Sequence, residues 1–223
     1  MMSITLLSLY NEVASQPWSM FDNDATSTDD FEPSLISAIN KALVEIWCSY
    51  PFEFRNCKKT ILTQKYTNKY TLPNGIINQK YTDDGIEYTV ILDDKHLEFI
   101  EDSESLPVEY GKPIGFFIKE DNLCFYPMPD KMYKIQINYS TFAIGKDVEN
   151  KDIYALREDT DTINIPRKYE QLFLNAVISK SMMYALASPT DENYAGYSIQ
   201  YDKAYKLLLK AVGCRKQNRK IVF

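Results

Sequence analysis

The residue types that most often carry catalysis or bind metals are few in this sequence and widely spaced. There is one histidine, His96. It stands in Asp93-Asp94-Lys95-His96, which reads as a turn between strands. Any Ser–His–Asp or Cys–His arrangement would rest on that one imidazole. The four cysteines, Cys48, Cys57, Cys124 and Cys214, form no Cys-x-x-Cys pair. They read as reduced, part-buried thiols and not as a zinc site or disulfide framework. Asp159-Thr160-Asp161 resembles a fragment of a calcium loop but lacks the glycine and terminal glutamate at the required spacing. It reads as a solvated acidic loop. There are only seven glycines, and no Gly-rich phosphate loop, Gly-x-Ser-x-Gly or His-Glu-x-x-His occurs. The expectation is a non-enzyme without catalytic, cofactor-binding or metal-binding residues and without a cofactor.

Two charged segments are more informative. Glu98, Glu101, Asp102, Glu104 and Glu109 form an acidic stretch. It reads as a solvated sheet edge that discourages strand pairing, or as a face complementary to a neighbouring subunit. After Gly213 come Arg215, Lys216, Arg219 and Lys220 with no acid, followed by Ile221, Val222 and Phe223. Such a segment is a frayed end, or an arm that orders on a partner by pairing its cations with an acidic groove and burying its apolar residues. The net charge of −6 disfavours broad gripping of phosphates. It suits a wall past which DNA must slide without sticking. The 17 tyrosines fit protein interfaces, although an AT-rich genome would raise Tyr, Lys, Asn and Ile together.

The elements that must position these residues follow from periodicity. Ser3–Ser15 carries Ile4, Leu7, Tyr10 and Val13 at helical spacing. An exposed loop from Gln16 to Asp30 follows, with Asp29, Asp30 and Glu32 placed to favour the next helix start. The second helix spans Pro33–Ser49, between Pro33 in its first turn and Pro51. From Lys59 to about Thr141 apolar and polar residues alternate between turn signals, as expected of a meandering antiparallel sheet or small sandwich. The strands read as Lys59–Tyr66, Lys69–Leu72, Ile86–Leu92, Leu97–Ile100, Gly115–Lys119, Leu123–Tyr126 and Met132–Tyr139. Phe142–Ile165 reads as a polar connection with few apolar anchors. Helices follow over Pro166–Ala187 and from an N-cap at Thr190 to a C-terminal cap at Gly213.

The predicted fold is therefore α+β, a bundle of two N-terminal and two C-terminal helices with an inserted antiparallel β module. Its expected divisions are 1–58, 59–141, 142–213 and an extended arm over 214–223. No run approaches the length needed to cross a bilayer, and the first residues lack signal-peptide character.

The order of several segments resembles the head–tail adaptor (connector) proteins of short-tailed phages, close to the ring proteins of crAss-like phages. The pieces are Glu45-Ile46-Trp47-Cys48-Ser49-Tyr50-Pro51-Phe52, Tyr70-Thr71-Leu72-Pro73, Gly115-Phe116-Phe117-Ile118 and Leu123 to Asp130. Next come Tyr133 to Tyr139, and Ile165-Pro166-Arg167-Lys168-Tyr169. The resemblance implies a virion protein made in the host cytoplasm and placed at the head–tail junction. It implies a homo-oligomeric ring, usually of twelve subunits, that joins the portal to the next tail component and extends the DNA channel without specific DNA binding or membrane contact. In such families the C-terminal segment reaches the portal, which assigns docking to Arg215, Lys216, Arg219, Lys220, Ile221, Val222 and Phe223. Residues 1–30 depart from the pattern. The alternatives are a neck or tail ring further from the portal, and a phage accessory enzyme or nucleic-acid-binding protein.

Overall fold

The computed structural model describes residues 4–17, 19–82, 85–186 and 192–213, with backbone alone at 80–82, 85 and 86. In chain order its elements are α1 (Leu6–Ala14), α2 (Pro33–Ser49), β1 (Asn56–Leu62), β2 (Lys69–Thr71), β3 (Gly75–Ile77) and β4 (Gln79–Thr82). Then come β5 (Gly85–Tyr88), β6 (Val90–Leu92), β7 (Lys95–His96), β8 (Glu98–Phe99), β9 (Tyr110–Gly111), β10 (Gly115–Lys119) and β11 (Asn122–Tyr126). Last are β12 (Met128–Pro129), β13 (Lys134–Thr141), β14 (Gly145–Lys146), β15 (Asp152–Ile153), β16 (Thr162–Ile163), α3 (Arg167–Ala185) and α4 (Glu192–Ala211). The fold is α+β, with helices at both ends of the chain and mostly antiparallel sheets between them. Two compact units result: Met1–Phe54 with Ala143–Phe223, and Arg55–Phe142.

In the helical unit, α3 packs against α1, α2 and α4. The core joins Leu6, Leu9, Tyr10 and Val13 of α1 to Leu35, Ile39, Leu43 and Trp47 of α2 and Phe173 and Val177 of α3. α2 has the predicted bounds, because Pro33 suits the first turn and Tyr50 before Pro51 is held extended. α1 starts later than Ser3. Thr5 caps it through a hydroxyl that accepts the Ser8 amide at 3.1 Å, and its leading strand is tied to β16 by the Ile163 amide donating to the Ile4 carbonyl. Asp30 does not serve α2. Its carboxylate accepts the Thr26 and Ser27 amides at 2.8 and 3.1 Å and closes a 3₁₀ turn over Thr28–Asp30.

The expected polar connection over Phe142–Ile165 is instead the three-stranded sheet β15-β14-β16. Its strands are too short to show alternation, yet Ala143, Ile144, Leu156 and Ile163 are buried. Asp161 is buried as well, so it is not a solvated loop residue. Its carboxylate accepts the Arg157 and Glu158 amides at 2.7 and 3.0 Å.

In the β unit, β13 is central: β1, β3 and β6 all pair with it antiparallel, and β7 extends β6. A second sheet runs β2-β11-β10-β8. Ile61, Val90, Ile135 and Ile137 from the first sheet share a core with Phe116, Leu123 and Phe125 from the second. Of the two expected forms, a meandering sheet or a small sandwich, the arrangement is thus the second, two sheets that share one core. β8 joins β10, and β9 joins β12, in parallel. The expected boundaries at 58/59 and 141/142 differ slightly from the observed ones at 54/55 and 142/143. Residues 56–58 already pair with Asn138–Ser140 in the ladder, and Arg55 is buried with its Nε donating to the Thr141 carbonyl at 3.1 Å.

Candidate functional site

His96 is not in a turn. Asp93 and Asp94 make the β6–β7 turn with φ of 51° and 61°, the left-handed pair that a tight hairpin needs. His96 follows inside β7, half-buried, with Nδ1 donating to the Tyr88 carbonyl at 2.8 Å. Cys48 is exposed, Cys57 half-buried and Cys124 buried, and none of the three is in a disulfide. Burial pushes the Cys124 thiol up. Among the described residues no group of three or more His, Cys, Asp or Glu is gathered to hold a metal. Among them, too, no helix is long and apolar enough to cross a membrane. The docking residues Arg215, Lys216, Arg219, Lys220, Ile221, Val222 and Phe223 lie outside the described residues, as do Cys214 and the Thr190 cap.

The acidic stretch gathers around an open concavity in the β unit. Glu101, Asp102, Ser103 and Glu104 line one side, and Ile118, Lys119 and Glu120 the other. Glu120 is engaged there: Lys69 donates to its carboxylate at 2.6 Å and holds it below the usual range.

Sequence reasoning missed a polar cluster that ties α2, α3 and α4 together. Lys180 on α3 is largely covered and lies 2.8 Å from the Glu45 carboxylate on α2. Tyr184, one turn on, donates its hydroxyl to the same carboxylate. The Lys180 ammonium also sits 4.8 Å from the Tyr201 ring centroid on α4, and Tyr201 stacks on Tyr205 at 5.6 Å. Tyr205 and Ser49 share a hydrogen bond of 2.7 Å. Burial raises the Glu45 pKa, but Lys180 and Tyr184 overcome it and leave the carboxyl below its usual range. Burial first, then neighbouring Tyr205 and Glu45, pushes Tyr201 up to about 12. Lys180 stands within the apolar stripe of α3, whereas Glu45 lies beside that of α2. Only the fold could pair them, 135 positions apart.

More than half of the residues of α4 are exposed. Tyr197 and Leu208 are its buried residues, whereas Ile199 and Leu207 are 57% and 54% exposed. A methyl group added at Gly196 would meet nothing within 4 Å. Glycine in a helix interior costs roughly 1 kcal/mol against alanine, and no contact among the described residues explains it.

A groove lies between α1 and α3, about 300 Å³ in volume. Ile4, Leu9, Leu174 and Ile178 make its apolar floor, and Glu12 and Glu170 stand at its rim with Thr5, Ser8 and Gln171. No protein-family model matches the chain, and no curated protein matches it.

Proposed function

We propose that the protein is a structural subunit of a phage head–tail junction, an adaptor that forms a ring between portal and tail and extends the DNA channel. The order of the resembling segments carries this reading. They fall at the end of α2 and the aromatic residues after it, on β10 and β11, along β13, and at the start of α3. The half-covered α4 supports the ring. A helix with Ile199 and Leu207 exposed beside an open Gly196 suits side-by-side packing with a neighbouring subunit's helix. In this reading the Arg215–Phe223 segment docks on the portal, and the protein is not an enzyme.

The test is to mix the purified chain with the portal protein of the same phage and record negative-stain images and assembly mass. Rings stacked on the portal are expected. A chain ending at Gly213 should stay folded and fail to join. Absence of rings with the full chain, or normal joining by the shortened one, would overturn the corresponding part of the proposal. Turnover dependent on metal or nucleotide would favour the enzyme alternative.

A further inference from the structure

We infer that neighbouring copies of the chain meet through opposite flanks of the β unit, the basic flank of one against the acidic flank of the next. Three observations carry this. The first is where the flanks lie. β1 and β7 are the two edges of one sheet, and β2 and β8 the two edges of the other. Lys59 on β1 donates its ammonium to the Thr71 carbonyl on β2 at 2.9 Å, so these two edges share one flank. β7 and β8 are separated only by Leu97, which is buried in the core that the sheets share. They make the opposite flank.

The second observation is charge. Residues 55–79, which hold β1 and β2, carry five cations and no acid. Residues 85–109, which hold β7 and β8, carry eight acids and one lysine, Lys95. Lys58 and Lys65 are exposed and make no ion pair among the described residues, and the same holds for Glu98, Glu101, Asp102 and Glu104. A body with unlike charge on opposite flanks attracts its own copies head to tail, a contact that repeats in one direction. The third is an open edge. β1 is bonded along its length to β13. The Thr63 amide donates to the Tyr133 carbonyl at the end of that ladder, so antiparallel alternation turns the backbone groups of Lys58, Thr60 and Leu62 to the other side. No backbone hydrogen bond reaches them there among the described residues. Such an edge accepts another chain unless charge forbids it. Two β1 edges would gather the Lys58 and Lys65 cations of both copies, whereas residues 98–104 bring carboxylates.

The attraction between flanks follows from the charges, and its closure into a ring rests on the head–tail reading. Charge reversal on the 223-residue chain tests it. One variant carries Lys58→Glu with Lys65→Glu, the other Glu101→Lys with Glu104→Lys. All four side chains are exposed, so both variants should melt as the unaltered chain does. The contact is read by sedimentation velocity at low salt and by ring formation on the portal, whichever assembles. Association of the unaltered chain should weaken as salt rises. Each variant alone should associate roughly tenfold more weakly. An equimolar mixture of the two should recover, because each supplies the flank charge that the other has lost. Unchanged association by either variant, or a mixture no better than its components, would overturn the inference. Rings on the portal that ignore all four substitutions would do so too, and would leave the head–tail reading standing. Salt-sensitive association with recovery in the mixture, but no rings on the portal, would sink the head–tail reading and leave this contact. A chain that stays monomeric at low salt and forms no rings would sink both.

Discussion

Replacing Lys180 with methionine removes one charge from the junction of α2, α3 and α4 while keeping an apolar stem of similar length. Two losses follow. The ion pair with Glu45 spans 2.8 Å, with Lys180 14% and Glu45 44% exposed. A hydrogen bond to a charged group contributes about 1.5–3 kcal/mol when well buried, and an exposed pair about 0.2–1. The exposure of Glu45 and solvent screening place this pair near ~1 kcal/mol. The cation above Tyr201 at 4.8 Å adds about 0.5 kcal/mol. Lys180→Met should therefore destabilise the helical unit by roughly 1.5 kcal/mol. Because the β unit has a core of its own, the reading is best taken from hydrogen exchange of α3 and α4 and not from a global melt. A double-mutant cycle with Glu45→Gln isolates the pair. The Glu45 carboxyl is held below its ordinary value of 4.5, so its stabilisation is present above that pH and fades as pH falls through the lower folded value. A coupling of ~1 kcal/mol at pH 7 should thus shrink in strong acid. A coupling under about 0.3 kcal/mol at pH 7, within the additivity error of distant sites, would refute the assignment. So would a coupling that ignores acid.

Other expectations follow from single contacts. Gly145→Ala would set a methyl group 2.2 Å from the Thr162 carbonyl oxygen, so a loss of about 1–3 kcal/mol is expected in thermal unfolding. Gly196→Ala meets open space and should raise stability by about 0.5–1 kcal/mol; if α4 packs against a neighbour there, the same change should weaken ring formation seen by mass photometry. Ile199→Asp with Leu207→Asp should leave the subunit's melting nearly unchanged, because both side chains are exposed. The pair should abolish rings on the portal, and intact rings would remove α4 from the subunit interface. Tyr201 is raised to about 12, so the folded state resists its ionisation. The unfolded chain ionises from pH 10 upward, and stability is lost between pH 10 and 12. Tyr201→Phe should flatten that decline in an alkaline unfolding series.

The long amphipathic elements were legible because their signals are local. α2 carries its own start and stop prolines, and β13 repeats Ile135 and Ile137 at period two. What was hidden depends on partners distant in sequence. Strands β9 and β12 are two residues each and exist through parallel pairing across 18 positions. β14 and β16 pair across 16 to 18, so their burial leaves no periodic mark. Asp161 looked like a solvated acid for the same reason: an aspartate that caps its own backbone turn and one that faces water have the same neighbours in sequence. The arm residues stood out because four cations without an acid contrast with a chain of net charge −6.

The same distinction bears on α4. The sequence stripe of Tyr194, Tyr197, Tyr201, Tyr205 and Leu208 predicts a helix buried along one face, yet only Tyr197 and Leu208 are fully covered. The tyrosines between them lie at the margin, where an apolar ring and a polar tip tolerate both water and protein. Two hydroxyls of the stripe are used within the subunit: Tyr205 bonds Ser49, and Tyr197 donates to the Pro17 carbonyl at 2.6 Å. That face of α4 is thus fixed by polar contacts to α2 and the chain after α1, and it is not free to rotate toward a partner. The apolar residues left over, Ile199 and Leu207, stand eight positions apart, about 80° around an ideal helix axis. A helix pinned on one side in this way offers the other side in a single orientation, the property a repeated contact between identical subunits needs in order to close.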